Sequence, residues 1–383
     1  MTSLLDKMAR RREELTRGGL LRQRRCFAAA PGRERLLHPV AQAQAQATGK
    51  PLLDFAANDY LGLARHPKVI SALAKGAEIY GCGSGASPLV SGYSEAHLKL
   101  EQGLCRALGA EAALLFSCGF AANTALMKTL FSAEDTVIAD KLVHASMIDG
   151  LRDSKAKIRR FAHNDMAAAT ALLARHPGSA VLTETVFSMD GDRAPLGKLS
   201  HLCQEHGSPL ILDDAHGFGL FESSPLPVFA RLVTFGKALG GQGAAIVGSQ
   251  ELIDYLVANA REYIYSTALS PACCMGVLEA LELIQQEPLL ERLNANIALF
   301  RRSCQVAGIS LMPSESPIQP LLVGESGKCM ALAARLLERG FLVGAIRPPT
   351  VPQGSARLRI TLSAEHREQD ILALAFALTE LIA

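Results

Sequence analysis

What this 383-residue chain lacks narrows it first. Neither charge is in excess: 39 Lys and Arg against 37 Asp and Glu leave 39 − 37 = +2, which gives no global argument for nucleic acid or membrane as a partner. No apolar run reaches bilayer-spanning length. The nine cysteines show no metal-type pair spacing, and only Cys273 and Cys274 are adjacent. Reduced thiols in a cytoplasmic compartment are therefore expected, with no metal site. No basic segment followed by an apolar one opens the chain, and Asp6, Glu13 and Glu14 argue against a transit peptide. No Gly-Lys pair is followed by Ser or Thr as a P-loop requires, and His-Glu-x-x-His is absent.

What is there is a globular composition, 49% apolar, long enough for a large core and two lobes. The expected division is a basic N-terminal helix and arm over 1–50, a large domain over 51–285 and a small α+β domain over 286–383. Residues 1–35 hold ten Lys and Arg against four Asp and Glu, which suits an anionic partner, although a solvated amphipathic helix over 3–17 is the commoner meaning. Ala41 to Ala47 reads as a surface hairpin or linker. Gly81-Cys82-Gly83-Ser84-Gly85-Ala86 matches a loose dinucleotide fingerprint, but it follows a predicted helix where that fingerprint needs a strand.

From residue 94 to 248 the pattern alternates helix and strand. Strands are predicted over 112–117, 136–140, 157–161, 180–186, 209–213, 231–235 and 244–248, which implies a mostly parallel sheet covered on both faces. In such sheets ligands sit outside the carboxyl ends of the strands. Three helices are expected over 249–308, then strands over 318–323, 341–346 and 356–362.

The strand ends are where chemistry-bearing residues collect. Cys118-Gly119-Phe120 stands where a helix begins, so its amides could hold a phosphate or simply form a βα turn. His144 follows the next strand; its flat ring could stack on an aromatic cofactor, though a cap or core role is commoner for one histidine. Ser188 alone would be a loop serine. Asp213-Asp214-Ala215-His216 ends an apolar strand in two carboxylates, and because burying an unpaired carboxylate is costly, one of them should meet a cation. Thr234-Phe235-Gly236-Lys237 places an amine in a tight connection between two apolar runs, where desolvation can keep it partly neutral and able to form a Schiff base. A solvated turn lysine is the usual meaning of a lone Gly-Lys pair. The company of a phosphate loop, a flat ring and a carboxylate changes that balance, and together they describe pyridoxal 5'-phosphate.

Read together, Asp213, His216, Lys237 and the glycine loop resemble the fold-type I pyridoxal phosphate enzymes, and within them the α-oxoamine synthase family, from about Asp54 to the C-terminus. Arg160-Phe161-Ala162-His163-Asn164-Asp165, Tyr265-Ser266-Thr267 and Ile346-Arg347-Pro348-Pro349-Thr350-Val351-Pro352 are most similar to members that act on L-alanine and a pimeloyl thioester, carried by coenzyme A or by acyl carrier protein. The resemblance implies a homodimer with shared sites, decarboxylative condensation, and a catalytic set of Lys237, His144, Asp213 and His216. It gives Lys237 the cofactor imine, Asp213 the pyridine nitrogen, and His144 the ring face. Ser188 and His216 would meet the ring oxygen, and Gly119, Phe120 and Thr234 the phosphate, with Cys118 where a serine is frequent and Ser266 and Thr267 reaching the partner. Asn58 and Arg359 fit substrate contacts, and Arg22 or Arg347 the distal carboxylate. The segment between His216 and Lys237 is shorter than the family expects, and Pro88 replaces a usual Arg or His. The other readings are a sister synthase taking glycine or serine with another acyl-CoA, and a non-catalytic subunit of the same fold.

Overall fold

The computed structural model describes residues 3–22, 24–29, 34–37, 51–221 and 226–382. The Ala41 to Ala47 stretch and most of the shortened segment before Pro225 lie outside the described residues. The chain falls into two compact units. One contains residues 58–188 and 192–292, and the other contains 189–191, 293–383 and the described residues up to 57.

The larger unit is built on seven strands: β1 Ala112–Phe116, β2 Thr136–Asp140, β3 Lys157–Phe161, β4 Ala180–Glu184, β5 Leu210–Asp213, β6 Ala230–Thr234 and β7 Ala244–Gly248. Their order is β1-β7-β6-β5-β4-β2-β3. All pairs are parallel except those of β7, which runs against both β1 and β6. Since β7 opposes both neighbours, β1 runs the same way as β6, and the carboxyl ends of six strands share one edge.

Successive side chains of a strand face opposite sides, and here both sides are dry. Val137, Ala139, Leu182, Ile211 and Leu232 pack under the helices Gly119–Leu130, Ala145–Ser154 and Gln250–Asn259. On the other face, Ile138, Val181 and Leu210 meet Ala169 and Leu173 of Met166–Arg175 and Leu199, Leu202 and Cys203 of Leu196–Glu205. Burial on both faces is why these strands read as unbroken apolar runs. The edge strand β3 differs, with Lys157, Arg159 and Arg160 exposed, a usual protection against edge-to-edge pairing.

In the other unit, Ala356–Thr361 is the middle strand between Ile318–Gly324 and Gly344–Ile346, antiparallel to both. The single strand expected over 341–346 is in fact two. Phe341–Leu342 pairs in parallel with Leu53 and Asp54, and after Val343 the chain changes sheets to pair with Ala356–Thr361. Helix Leu4–Arg17 is capped by Ser3 and Asp6 and has no buried residue, as an amphipathic solvated helix would. Between 249 and 308 there are four helices rather than three, because a single turn, Arg261–Ile264, separates Gln250–Asn259 from Pro271–Gln286 and Leu289–Val306. No described helix is long and apolar enough to cross a membrane.

Candidate active site

The shared strand edge of the larger unit gathers most of the predicted residues. Past β1, Cys118 caps helix Gly119–Leu130, its Sγ accepting from the Ala121 amide at 3.5 Å. The amides of Gly119 and Phe120, in the first turn, have no intrahelical acceptor. A Cβ on Gly119 would stand 2.6 Å from Thr234 Cγ2, so glycine is what allows this helix start to close on the end of β6. Predicted phosphate contacts 115 residues apart in sequence (234 − 119) thus share one spot.

Asp213 ends β5 and is 4% exposed. Its Oδ1 accepts from the Ala215 amide at 3.0 Å, and its Oδ2 from Asn123 Nδ2 at 2.7 Å. It forms no salt bridge among the described residues. Its neighbour Asp214 does, with Arg231 at 3.5 Å. The cation expected at this pair of carboxylates is therefore supplied by the chain to Asp214, which is buried rather than a solvated loop residue. Loss of hydration pushes the Asp214 carboxyl up to about 6, with Arg231 opposing.

Asn123 also donates to Ser146 Oγ at 3.0 Å, and that hydroxyl lies 2.7 Å from His144 Nδ1. Loss of hydration holds His144 below the ordinary histidine value; Asp213 opposes this and Lys237 adds to it. Glu184, paired with Asp213 across β4 and β5, is buried, and desolvation followed by the Asp213 charge raises its carboxyl well above the usual range.

Lys237 sits in the connection from β6 to β7, half-buried, with Nζ 3.4 Å from Thr234 Oγ1. The connection is tied by Phe235 N to Gly243 O at 2.9 Å and Gly241 N to Phe235 O at 2.7 Å. Gly240 has φ +62°, and a Cβ there would lie 2.1 Å from the Ala64 amide, so this turn admits only glycine. His216 is buried, and its Nδ1 is 2.6 Å from Tyr60 Oη, which is 3.3 Å from Asn58 Oδ1. Asn58 and His216 are thereby joined through a hydroxyl.

Ser188 follows β4 in a segment pinned by His163. Phe187 meets the His163 ring edge-on at 4.3 Å, and the imidazole lies between Asp140 (3.0 Å) and Asp192 (2.7 Å). Ser266 and Thr267 follow the turn Arg261–Ile264, and their segment is held to the Gly81–Ala86 loop: Ala268 N donates to Ala86 O at 3.0 Å, Ser84 Oγ to Ala268 O at 2.7 Å and Ser270 Oγ to Cys82 O at 2.9 Å. That glycine loop follows helix Pro67–Tyr80 and not a strand, and these bonds give it a packing task.

The predicted substrate arginines belong to the other unit. Arg359 is buried in the middle strand and donates to Thr361 Oγ1 at 3.1 Å. Arg22 donates to Thr350 Oγ1 at 3.0 Å, and Arg347 to Leu21 O at 3.4 Å, so the two arginines lie on segments that are tied to each other. Sequence reasoning missed Tyr60, Asn123 and Ser146 as site residues. Tyr60 lies 156 positions from His216 and Asn123 90 from Asp213, and only a local signal, the helix start after β1, pointed at Asn123.

The donor set fits pyridoxal phosphate. Among the described residues the buried Asp213 carboxylate accepts from two neutral N–H donors and can take a cationic ring nitrogen, the glycine-opened helix start can take a phosphate, and the half-buried Lys237 amine stands 3.4 Å from Thr234 Oγ1 at that helix start. Such a fold and site define a pyridoxal-phosphate-dependent enzyme. Residues 50–378 match the aminotransferase class I and II family. The chain is 47% identical over 345 residues to the 8-amino-7-oxononanoate synthase of Aeromonas salmonicida, covering 87% of this chain and 86% of that one. It belongs to the family of 8-amino-7-oxononanoate synthases. Among solved structures it is similar to SPT with PLP, with a TM-score of 0.90 at 26% identity covering 99% of this chain and 98% of that one. It is also similar to the 8-amino-7-oxononanoate synthase of Francisella tularensis, with a TM-score of 0.75 at 29% identity covering 86% and 98%.

Proposed function

We propose that this enzyme condenses L-alanine with a pimeloyl thioester, releasing carbon dioxide and the free thiol, to give 8-amino-7-oxononanoate in biotin biosynthesis. The observation that carries the reading is the 47% identity with a relative of that name, borne by a chain that keeps the lysine, carboxylate and helix-start set described above. When bound, pyridoxal phosphate supplies a carbonyl for imine formation and a ring that accepts electrons from the substrate α-carbon. Lys237 would hold the cofactor through its amine, and the same amine would remove and return the proton at the substrate α-carbon. Asp213 holds the proton on the ring nitrogen. His144 covers one ring face, His216 and Ser188 bind the ring oxygen, and the Gly119 and Phe120 amides with Thr234 bind the phosphate. Cys118 caps that helix. Arg359 clamps the alanine carboxylate, where a guanidinium can bind both oxygens, and Asn58 orients the substrate. In a homodimer, Ser266 and Thr267 complete the partner's phosphate site. Nine free cysteines suit a cytoplasmic enzyme.

The distal carboxylate of the acyl donor needs a cation, since a buried unpaired charge is costly. Arg22 or Arg347 supplies one. The higher TM-score to SPT, a serine palmitoyltransferase, favours a second reading, a sister synthase that takes serine or glycine. Offering alanine, glycine and serine separately with pimeloyl-CoA, pimeloyl-acyl carrier protein and an uncharged-tail thioester of equal length decides between them. Alanine with a pimeloyl thioester should be preferred, and Arg22→Ala or Arg347→Ala should weaken pimeloyl use more than use of the uncharged analogue. Equal use of both thioesters by the wild-type enzyme, or a preference for glycine or serine, would overturn the reading.

A further inference from the structure

We propose that Asn123 is a positioning residue that couples Asp213 to His144, using both hydrogens of one amide and the hydroxyl of Ser146 to fix which imidazole nitrogen of His144 carries its proton. The inference rests on the cofactor reading of Asp213 and His144 but is drawn from hydrogen-bond directions alone. Asn123 Nδ2 lies 2.7 Å from Asp213 Oδ2 and 3.0 Å from Ser146 Oγ. A carboxylate only accepts, so the amide must present its nitrogen, and its two hydrogens are both committed. The cost of that orientation is visible, because Asn123 Oδ1 is buried without a partner among the described residues. Turning the amide over would set its carbonyl oxygen against the carboxylate, which is worse.

Ser146 Oγ, fully buried, then accepts from Asn123 and has its own hydrogen left for His144 Nδ1 at 2.7 Å. The Ser146 backbone amide also points at that nitrogen, at 3.3 Å. An N–H cannot accept, so Nδ1 is the acceptor of both and the imidazole hydrogen belongs on Nε2. His144 is thus held neutral, with Nε2–H as its outward donor, beside the titratable groups Asp213, Lys237, Asp149 and Glu184, the last hydrogen-bonded to its backbone. Protonating Nδ1 would require Ser146 to rotate and would set two N–H groups against each other. Asp213 ends β5 and His144 caps the helix Ala145–Ser154 that follows β2, and this relay makes their geometry depend on one buried amide.

The test is nitrogen NMR of histidine-labelled protein, with and without pyridoxal phosphate, the His144 signals being identified by their loss in His144→Gln. Wild-type protein should show an unprotonated Nδ1 and a protonated Nε2 at neutral pH. Ser146→Ala and Asn123→Ala should mix the tautomers and raise the His144 midpoint by about one pH unit, a tenfold easier protonation. Ser146→Thr, which keeps the hydroxyl, should restore the wild-type pattern. Asn123→Ala should also weaken pyridoxal phosphate binding about tenfold, the scale of losing one hydrogen bond to a charged group. Ser146→Ala keeps the proposal testable should Asn123→Ala not fold. A wild-type proton on Nδ1, or a wild-type tautomer and midpoint in the alanine variants, would overturn it. Neither result depends on which substrate the enzyme takes.

Discussion

His163 is the residue whose replacement tests the support of the site most directly. Its imidazole sits 3.0 Å from Asp140, which is fully buried, and 2.7 Å from Asp192. Burial works against its charge, but its hydrogen bonds to the two carboxylates outweigh this and push it up to about 10. It is therefore an imidazolium at neutral pH, fixing the Phe187–Ser188 segment to the end of β2. The span from an unfolded value near 6.5 to about 10, at about 1.4 kcal/mol per pH unit, sets a ceiling of roughly 4 kcal/mol at pH 7. A quarter of the side chain remains exposed, so solvent screening lowers the expectation to about 2 kcal/mol. The folded value lies above the unfolded one, so this contribution is complete below about pH 6.5 and is lost as pH rises through about 10. His163→Gln should accordingly be less stable than wild type by that amount at pH 7, and the difference should shrink towards zero by pH 10. Urea unfolding of both proteins between pH 6 and 10, at one protein concentration and with and without pyridoxal phosphate, measures it. A difference that stays constant or grows with pH would refute the imidazolium clamp.

Three further replacements address the site itself. Lys237→Ala should abolish the visible absorbance of the cofactor imine and its fixation by borohydride; a variant keeping both the band and turnover removes Lys237 from its role. Asp213→Asn keeps the shape but not the charge, and kcat should fall on the order of 10²-fold, as for loss of one electrostatic stabiliser; near-normal turnover would end that assignment. Gly119→Ala introduces a Cβ 2.6 Å from Thr234 Cγ2, so pyridoxal phosphate titration followed by fluorescence should show at least a tenfold weaker affinity, on the scale of one lost hydrogen bond to a charged group, and unchanged affinity would show that the helix start is not the phosphate site.

The elements of the larger unit were legible because both sheet faces are buried. Uninterrupted apolar runs such as Leu210–Asp213 and Ala244–Gly248 announce strands, and the polar residues just past them announce a ligand edge. Lys237, Asp213 and His144 stand out in the chain because each is polar chemistry attached to an apolar strand end, a local signal. That β7 runs against its neighbours was not legible, since strand direction depends on how a connection folds back and not on strand composition. The split at Val343 was hidden for the same reason: five apolar residues and a glycine suit one strand or two, and only pairing partners distinguish them. The relay from Asp213 through Asn123 and Ser146 to His144, and the contact of Tyr60 with His216, belong wholly to the tertiary structure. Asparagine, serine and tyrosine carry no periodic or charge signal, and a hydrogen bond across 90 or 156 positions exists only once packing has set its length. The sequence by itself determined which side chains could do this chemistry. Which of two adjacent aspartates keeps an internal cation was decided by where Arg231 lies, because a buried carboxylate is settled by its nearest neighbours in space.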